Sequence, residues 1–106
     1  MPRDRYRGGT SEMIYLLVNA VVDTRDESLP IAQALAVKDG RIVEIGGTDE
    51  ILWLREDDYE VIDLEGRTVV PSAGTLAPGK PANFHVLSGG RTVEAWVEGV
   101  RSLVEP

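Results

Sequence analysis

The chain has 106 residues, 42% apolar and 27% charged, with 18 acidic against 11 basic side chains and a formal net charge of −7. That length suits one domain with a modest core, and the composition is that of a folded globule. The acidic balance argues against non-specific nucleic-acid binding, which needs Lys and Arg to displace counterions from phosphates. The lack of cysteine excludes disulfides and thiolate-held metals.

Met1–Glu12 alternates charge with Gly and Thr, shows no period, and reads as a disordered N-terminal arm. Arg3, Arg5 and Arg7 in it read as solvated tail charges, the other reading being a small patch for an anionic surface. The apolar run over residues 13–18 is too short to span a membrane and lacks the form of a secretory signal. The expected location is therefore cytoplasmic.

Residues 14–22, apolar except at Asn19, predict a buried strand that stops at Asp23. Residues 23–30 predict a charged loop ending in proline. Residues 34–46 hold the clearest hairpin. Asp39-Gly40 suits a two-residue turn, in which both central residues need positive φ. That turn sets Val37 opposite Ile42 and Ala36 opposite Val43. Both faces of this hairpin are apolar, so both are expected to be covered, and a second sheet supplies cover.

Thr48–Asp58 is the one helical stretch. Thr48 is the expected N-cap, and Asp49 and Glu50 sit where the helix dipole favours anions. Ile51, Leu52, Leu54 and Trp53 form its apolar side. So short a helix must rest on a sheet to persist. Residues 60–71 predict a second hairpin about Glu65-Gly66, and residues 82–87 a further strand. A third hairpin turns at Glu98-Gly99 and sets Trp96 opposite Arg101 as a cation–π pair. The expected fold class is mainly β: a two-sheet sandwich of about eight short strands with one short helix, spanning residues 13–106.

Each motif that could carry chemistry has a plainer reading. The spacing Gly74-x-x-x-x-Gly79-Lys80 approaches a phosphate-binding loop. Pro81 stands where that loop needs Ser or Thr, supplies no N–H, and is followed by a strand, not a helix. His85 is the only histidine, so it cannot build a His-rich metal site and reads as a half-buried strand residue. No nucleophile elbow accompanies it. Glu56, Asp57, Asp58 and Glu60 form an acidic cluster without the order of a calcium loop, and read as a solvated helix end. Trp53 and Trp96 read as core or rim anchors, with an interface as the other use.

Two stretches carry a resemblance. L-L-V-N-A-V-V-D, then A-L-A-V-K-D-G-R-I-V-E-I-G, then V-I-D-L-E-G-R-T-V-V-P, is similar to the opening of metal-dependent amidohydrolases such as imidazolonepropionases, cytosine deaminases and dihydropyrimidinases. G-T-L-A-P-G-K-P-A-N-F-H-V-L followed by V-E-A-W-V-E-G-V-R resembles the end of the same enzymes. The resemblance implies that these ends fold together as a composite β-sandwich domain. A metal-bearing barrel of about 250 residues is inserted between them in that superfamily. Here Pro71 runs through Ser72, Ala73 and Gly74 directly into the closing motif, so the insertion point falls at about residues 71–76. No residue of this chain matches the barrel's metal-binding histidines, bridging lysine or catalytic aspartate, and Lys80 belongs to the G-K-P-A turn. The expectation is therefore no catalytic, metal or cofactor residue and no cofactor.

The expected function is that of a non-catalytic composite domain, structural or self-associating. Its expected partners are copies of itself or a related chain, through an apolar face that a barrel would have covered. The alternatives are an interaction module that binds a protein partner through that face, and a hydrolase of carbon–nitrogen bonds by similarity alone.

Overall fold

The computed structural model describes residues 13–55 and 58–104. The arm Met1–Glu12, with its three arginines, and Glu56 and Asp57 of the acidic cluster lie outside the described residues. Ten strands and one helix follow in chain order. They are β1 (Ile14–Val18), β2 (Val21–Asp23), β3 (Ile31–Ala32), β4 (Ala34–Lys38), β5 (Arg41–Gly46), α1 (Thr48–Leu52), β6 (Tyr59–Asp63), β7 (Thr68–Pro71), β8 (Phe84–Ser88), β9 (Arg91–Val97) and β10 (Val100–Leu103). A four-stranded sheet has the order β5-β4-β1-β6 and a six-stranded sheet the order β10-β9-β8-β7-β2-β3.

Three segments pass from one sheet to the other, and this stitches the sandwich together. The apolar run after Met13 is two strands, not one: Asn19, at φ 57°, bends the chain so that β1 lies in the small sheet and β2 in the large one. The chain bends again at Gln33, between β3 and β4. The third bend corrects an expectation. Residues 60–71 do not form a hairpin, since β6 runs parallel to β1 while β7 pairs with β2 and β8. The turn at Glu65-Gly66 exists, with φ 53° and 85°, but it turns a corner between sheets. Leu64, fully buried there, donates its N–H to Val18 O at 2.9 Å, and Gly66 N–H bonds Asn19 O at 2.7 Å, so the two corners hold each other. Sheet-switching strands of this kind make the corners of packed sheets.

The β4–β5 hairpin forms about Asp39-Gly40, with Val37 opposite Ile42 as expected. A bulge at Ala36/Val37 then sets Ala36 opposite Glu44, not Val43. The reason lies in the spacing of two isoleucines. Ile42 and Ile45 are three apart, and strict alternation would send them to opposite faces. The extra residue leaves both buried and both Val43 and Glu44 exposed.

Both faces of the small sheet are covered, as expected, one by the large sheet and the other by the short helix. Leu17, Leu35, Val37, Ile42 and Ile62 meet Val22, Val69, Phe84, Val86 and Trp96 of the large sheet in one core. On the opposite face Ile14, Leu16, Val18, Ala34 and Ala36 pack against Ile51 of α1. The layers are therefore helix, sheet, sheet. The helix ends at Leu52 and does not reach Asp58, whose carbonyl already accepts the Ile14 N–H at 3.1 Å. Gly47, not Thr48, is the N-cap, with its N–H bonded to Glu50 Oε1 at 2.7 Å. The Thr48 hydroxyl instead accepts the Asn19 N–H at 3.0 Å and so steadies the first corner.

The β9–β10 hairpin turns at Glu98-Gly99 as expected. A further hairpin, β8–β9, turns at Gly89-Gly90, both at positive φ. The turns at Asp39-Gly40 and Glu98-Gly99 touch back to back. A Cβ on Gly99, at φ +81°, would stand 2.7 Å from Gly40 Cα. Gly99→Ala is thus expected to destabilise by about 1–3 kcal/mol through strain at that φ and the clash together. A drop in the thermal midpoint, absent for Gly66→Ala beyond its φ cost because nothing stands within 4 Å there, checks it.

Candidate functional site

The stretch 72–83 joins β7 to β8. Its first three residues are exposed. The rest is tied down: Leu76, 2% exposed, donates its N–H to Thr24 O at 2.9 Å. Gly79 N–H bonds Ile42 O at 2.7 Å and Ile42 N–H bonds Lys80 O at 2.8 Å, so the segment lies along the free edge of β5. Lys80 Nζ donates to Thr75 Oγ1 at 2.6 Å, and Arg41 donates to Gly79 O at 3.0 Å. The amide at Gly79 is spent on β5, which removes a donor that a phosphate cradle would need.

His85 is half-buried on β8, level with Val70 and Ala95, as the sequence suggests. Among the described residues no three His, Asp or Glu side chains gather into a metal-holding group. Of the acidic cluster, Asp58 and Glu60 are described and exposed. Trp53 is 83% exposed, whereas Trp96 is buried in the core.

An open cleft of about 920 Å³ is lined by residues of β1, β5, β6, β9 and β10. Tyr15, Ile62 and Trp96 line it with apolar surface, and Glu60, Glu98, Arg41 and Arg101 bring charge. Trp96 stacks on Phe84 with centroids 5.3 Å apart and meets Tyr15 edge to face at 5.9 Å. The register sets Arg101 opposite Trp96, as expected, but its guanidinium does not serve a cation–π contact. It forms an ion pair with Glu94, N to Oε2 2.8 Å, while Trp96 Nε1 donates to Oε1 at 3.0 Å.

Glu94 is only 5% exposed. Burial is the largest influence on its carboxyl and pushes the pKa up. The hydrogen bonds from Arg101 and Trp96, with the charges of Arg101 and Arg67, together outweigh burial and hold it below the usual carboxylate range. With both oxygens bonded and the charge stabilised, it is a poor proton acceptor. The arrangement fixes β9 to β10; as a group for acid–base chemistry it is badly placed. This triad was not singled out from the sequence. Its trace was there: Glu94 and Trp96 are two apart on one face of β9, and the hairpin register puts Arg101 across from them.

No family model matches the chain. It is 35% identical over 85 residues to the exoenzymes regulatory protein AepA of Pectobacterium carotovorum, covering 80% of this chain and 18% of that protein. It is 41% identical over 56 residues to the N-substituted formamide deformylase of Arthrobacter pascens, covering 53% of this chain and 10% of that protein. The chain thus spans less than a fifth of the length of these curated relatives. Among solved structures, an uncharacterized metal-dependent hydrolase from Pyrococcus furiosus superposes with a TM-score of 0.50 at 25% identity, over 55% of this chain and 13% of that one. The fold shared with that hydrolase over this part of the chain is mainly β.

Proposed function

We propose that this chain is a non-catalytic composite domain of the amidohydrolase kind, in which the two chain ends of a larger hydrolase close directly upon each other. The observation that supports this most is the pairing of β7 with β8, Val69 opposite Val86 and Pro71 opposite Phe84. These are the last strand of the opening motif and the first strand of the closing one. The residues between them leave the sheet as an exposed loop at 72–74, where a domain could enter without disturbing the pairing. The outer face of the large sheet carries Val21, Ile31, Val97 and Val100, each 44–66% exposed, and no layer of the described residues covers it. That is the face a barrel would rest on.

Metal analysis of the purified chain tests the reading. The expected result is no stoichiometric transition ion and no amidase or deaminase turnover that survives chelation. One tightly held ion per chain, with hydrolysis that depends on it, would overturn it. The insertion point has its own test. Placing a flexible Gly/Ser segment between Ala73 and Gly74 is expected to cost only about 1 kcal/mol, since loop closure grows slowly with length. The same insertion between Gly89 and Gly90 splits a two-residue hairpin and is expected to lower the unfolding midpoint much further.

A further inference from the structure

Two sheets present four edge strands, and three of these are protected. The linker lies along β5, through Gly79, Lys80 and the bridge from Arg41 to Pro81. β3 is two residues long and follows Pro30. β6 carries Glu60 and Asp63, whose charges would repel those of a second copy. Short strands, proline and charge are the usual means of blunting an edge. β10 is twice the length of β3, holds no proline, and no described segment lies along its outer edge. Its residues Val100, Arg101, Ser102 and Leu103 are all exposed, with Val100 at 66% and Leu103 at 67%. In a chain of net charge −7 it holds no acid, and its single charge is already paired with Glu94.

We propose that β10 is the seam of a homodimer, in which two copies pair antiparallel about Ser102 and join their six-stranded sheets into one. This goes beyond the proposed non-catalytic role and takes up the self-association expected from the sequence. The partner is a second copy because the edge is self-complementary. Val104 N–H bonds Val93 O at 2.9 Å, so Val104, Ser102 and Val100 direct their backbone groups toward β9. By alternation Arg101 and Leu103 direct theirs to the free edge. With the two-fold axis at Ser102, Arg101 faces Leu103 of the second copy, and these are the hydrogen-bonding pairs. Val100 then faces Val104 of the second copy on the outer side, giving two apolar pairs. An axis at Arg101 would set two guanidinium groups opposite each other, which is unfavourable. The seam is short, so the dimer is expected to be of the weak, concentration-dependent class.

The native chain has no cysteine, which makes crosslinking clean. At Ser102 the two copies meet as a non-hydrogen-bonded pair with Cα atoms about 4.5 Å apart, within disulfide range. Ser102→Cys is expected to form an interchain disulfide on mild oxidation, in roughly tenfold or greater yield than the exposed control Ser72→Cys, because pairing raises the effective concentration. Leu103→Pro removes a donor from the free edge and none from β9. It is expected to keep the circular dichroism of the fold and to weaken dimerisation roughly tenfold or more in sedimentation. A chain that sediments as a monomer at every concentration, with equal crosslinking at Ser102→Cys and Ser72→Cys, would overturn the seam. That result would leave the non-catalytic reading intact, since metal content and turnover are measured separately. Higher yield from Val100→Cys than from Ser102→Cys would overturn the register.

Discussion

Trp96→Ala is expected to destabilise the chain by about 3–5 kcal/mol, a large share of what a domain of this size has to lose. Three contacts end at once. The stack on Phe84 joins neighbouring strands within the large sheet, and the edge contact with Tyr15 of β1 ties that sheet to the small one. The indole N–H also leaves Glu94 Oε1, inside a region where Glu94 is 5% exposed. Trp96→Phe separates these effects, because it keeps a ring against Phe84 and deletes the N–H. Its expected cost is roughly 1.5–3 kcal/mol, in the range for a lost hydrogen bond to a charged group. Urea unfolding followed by circular dichroism measures both. Equal costs for the two variants would show that packing contributes nothing beyond the hydrogen bond, contrary to the core described here. Trp53, 83% exposed, makes indole fluorescence a poor reporter.

The turns of this fold were legible because their chemistry is local. Asp39-Gly40 and Glu98-Gly99 both form hairpins, each with the positive φ that the residue pair foretells. Glu65-Gly66 carries the same local chemistry and adopts the same φ signs, yet its flanking strands part company. A tight turn fixes the path of four residues and says nothing about which sheet the next strand joins. That choice is made by Leu64, which buries at the corner, and by β1, which offers β6 a parallel partner. The length of α1 was misread for a related reason. Leu54 and Trp53 fit a helical stripe, but backbone pairing of Asp58 with Ile14 begins too soon for the helix to continue. The Glu94 triad was hidden because its members come from two strands and only their register brings them together. The two apolar faces of β4 were legible, whereas the identity of the second cover was not, since apolar side chains accept a helix as readily as a sheet.

Arg101→Leu is expected to reverse the sign of Glu94's pH dependence. In the native chain the Glu94 pKa is lowered on folding, so its contribution is fully present above the unfolded carboxyl value and is lost as pH falls through the folded value. Without Arg101, burial, already the largest influence, meets only the Trp96 N–H and the more distant Arg67 charge. The folded pKa then rises above the unfolded one. The buried carboxylate becomes a liability at neutral pH that protonation relieves as pH falls through the raised value. At pH 7 the expected loss is about 1.5–2 kcal/mol, the low end for a charged hydrogen bond, because the Arg101 side chain is 37% exposed and water partly replaces it. The informative quantity is the stability difference between variant and native chain, measured at a dilution where both are monomeric, so that the remaining acids cancel. It should shrink steadily as pH falls below the neutral range. Glu94→Gln made in the Arg101→Leu background should recover part of the loss at pH 7, and the difference between that double variant and Glu94→Gln alone should not vary with pH. A difference between Arg101→Leu and the native chain that stays constant with pH would mean that Arg101 holds β10 by packing of its stem alone.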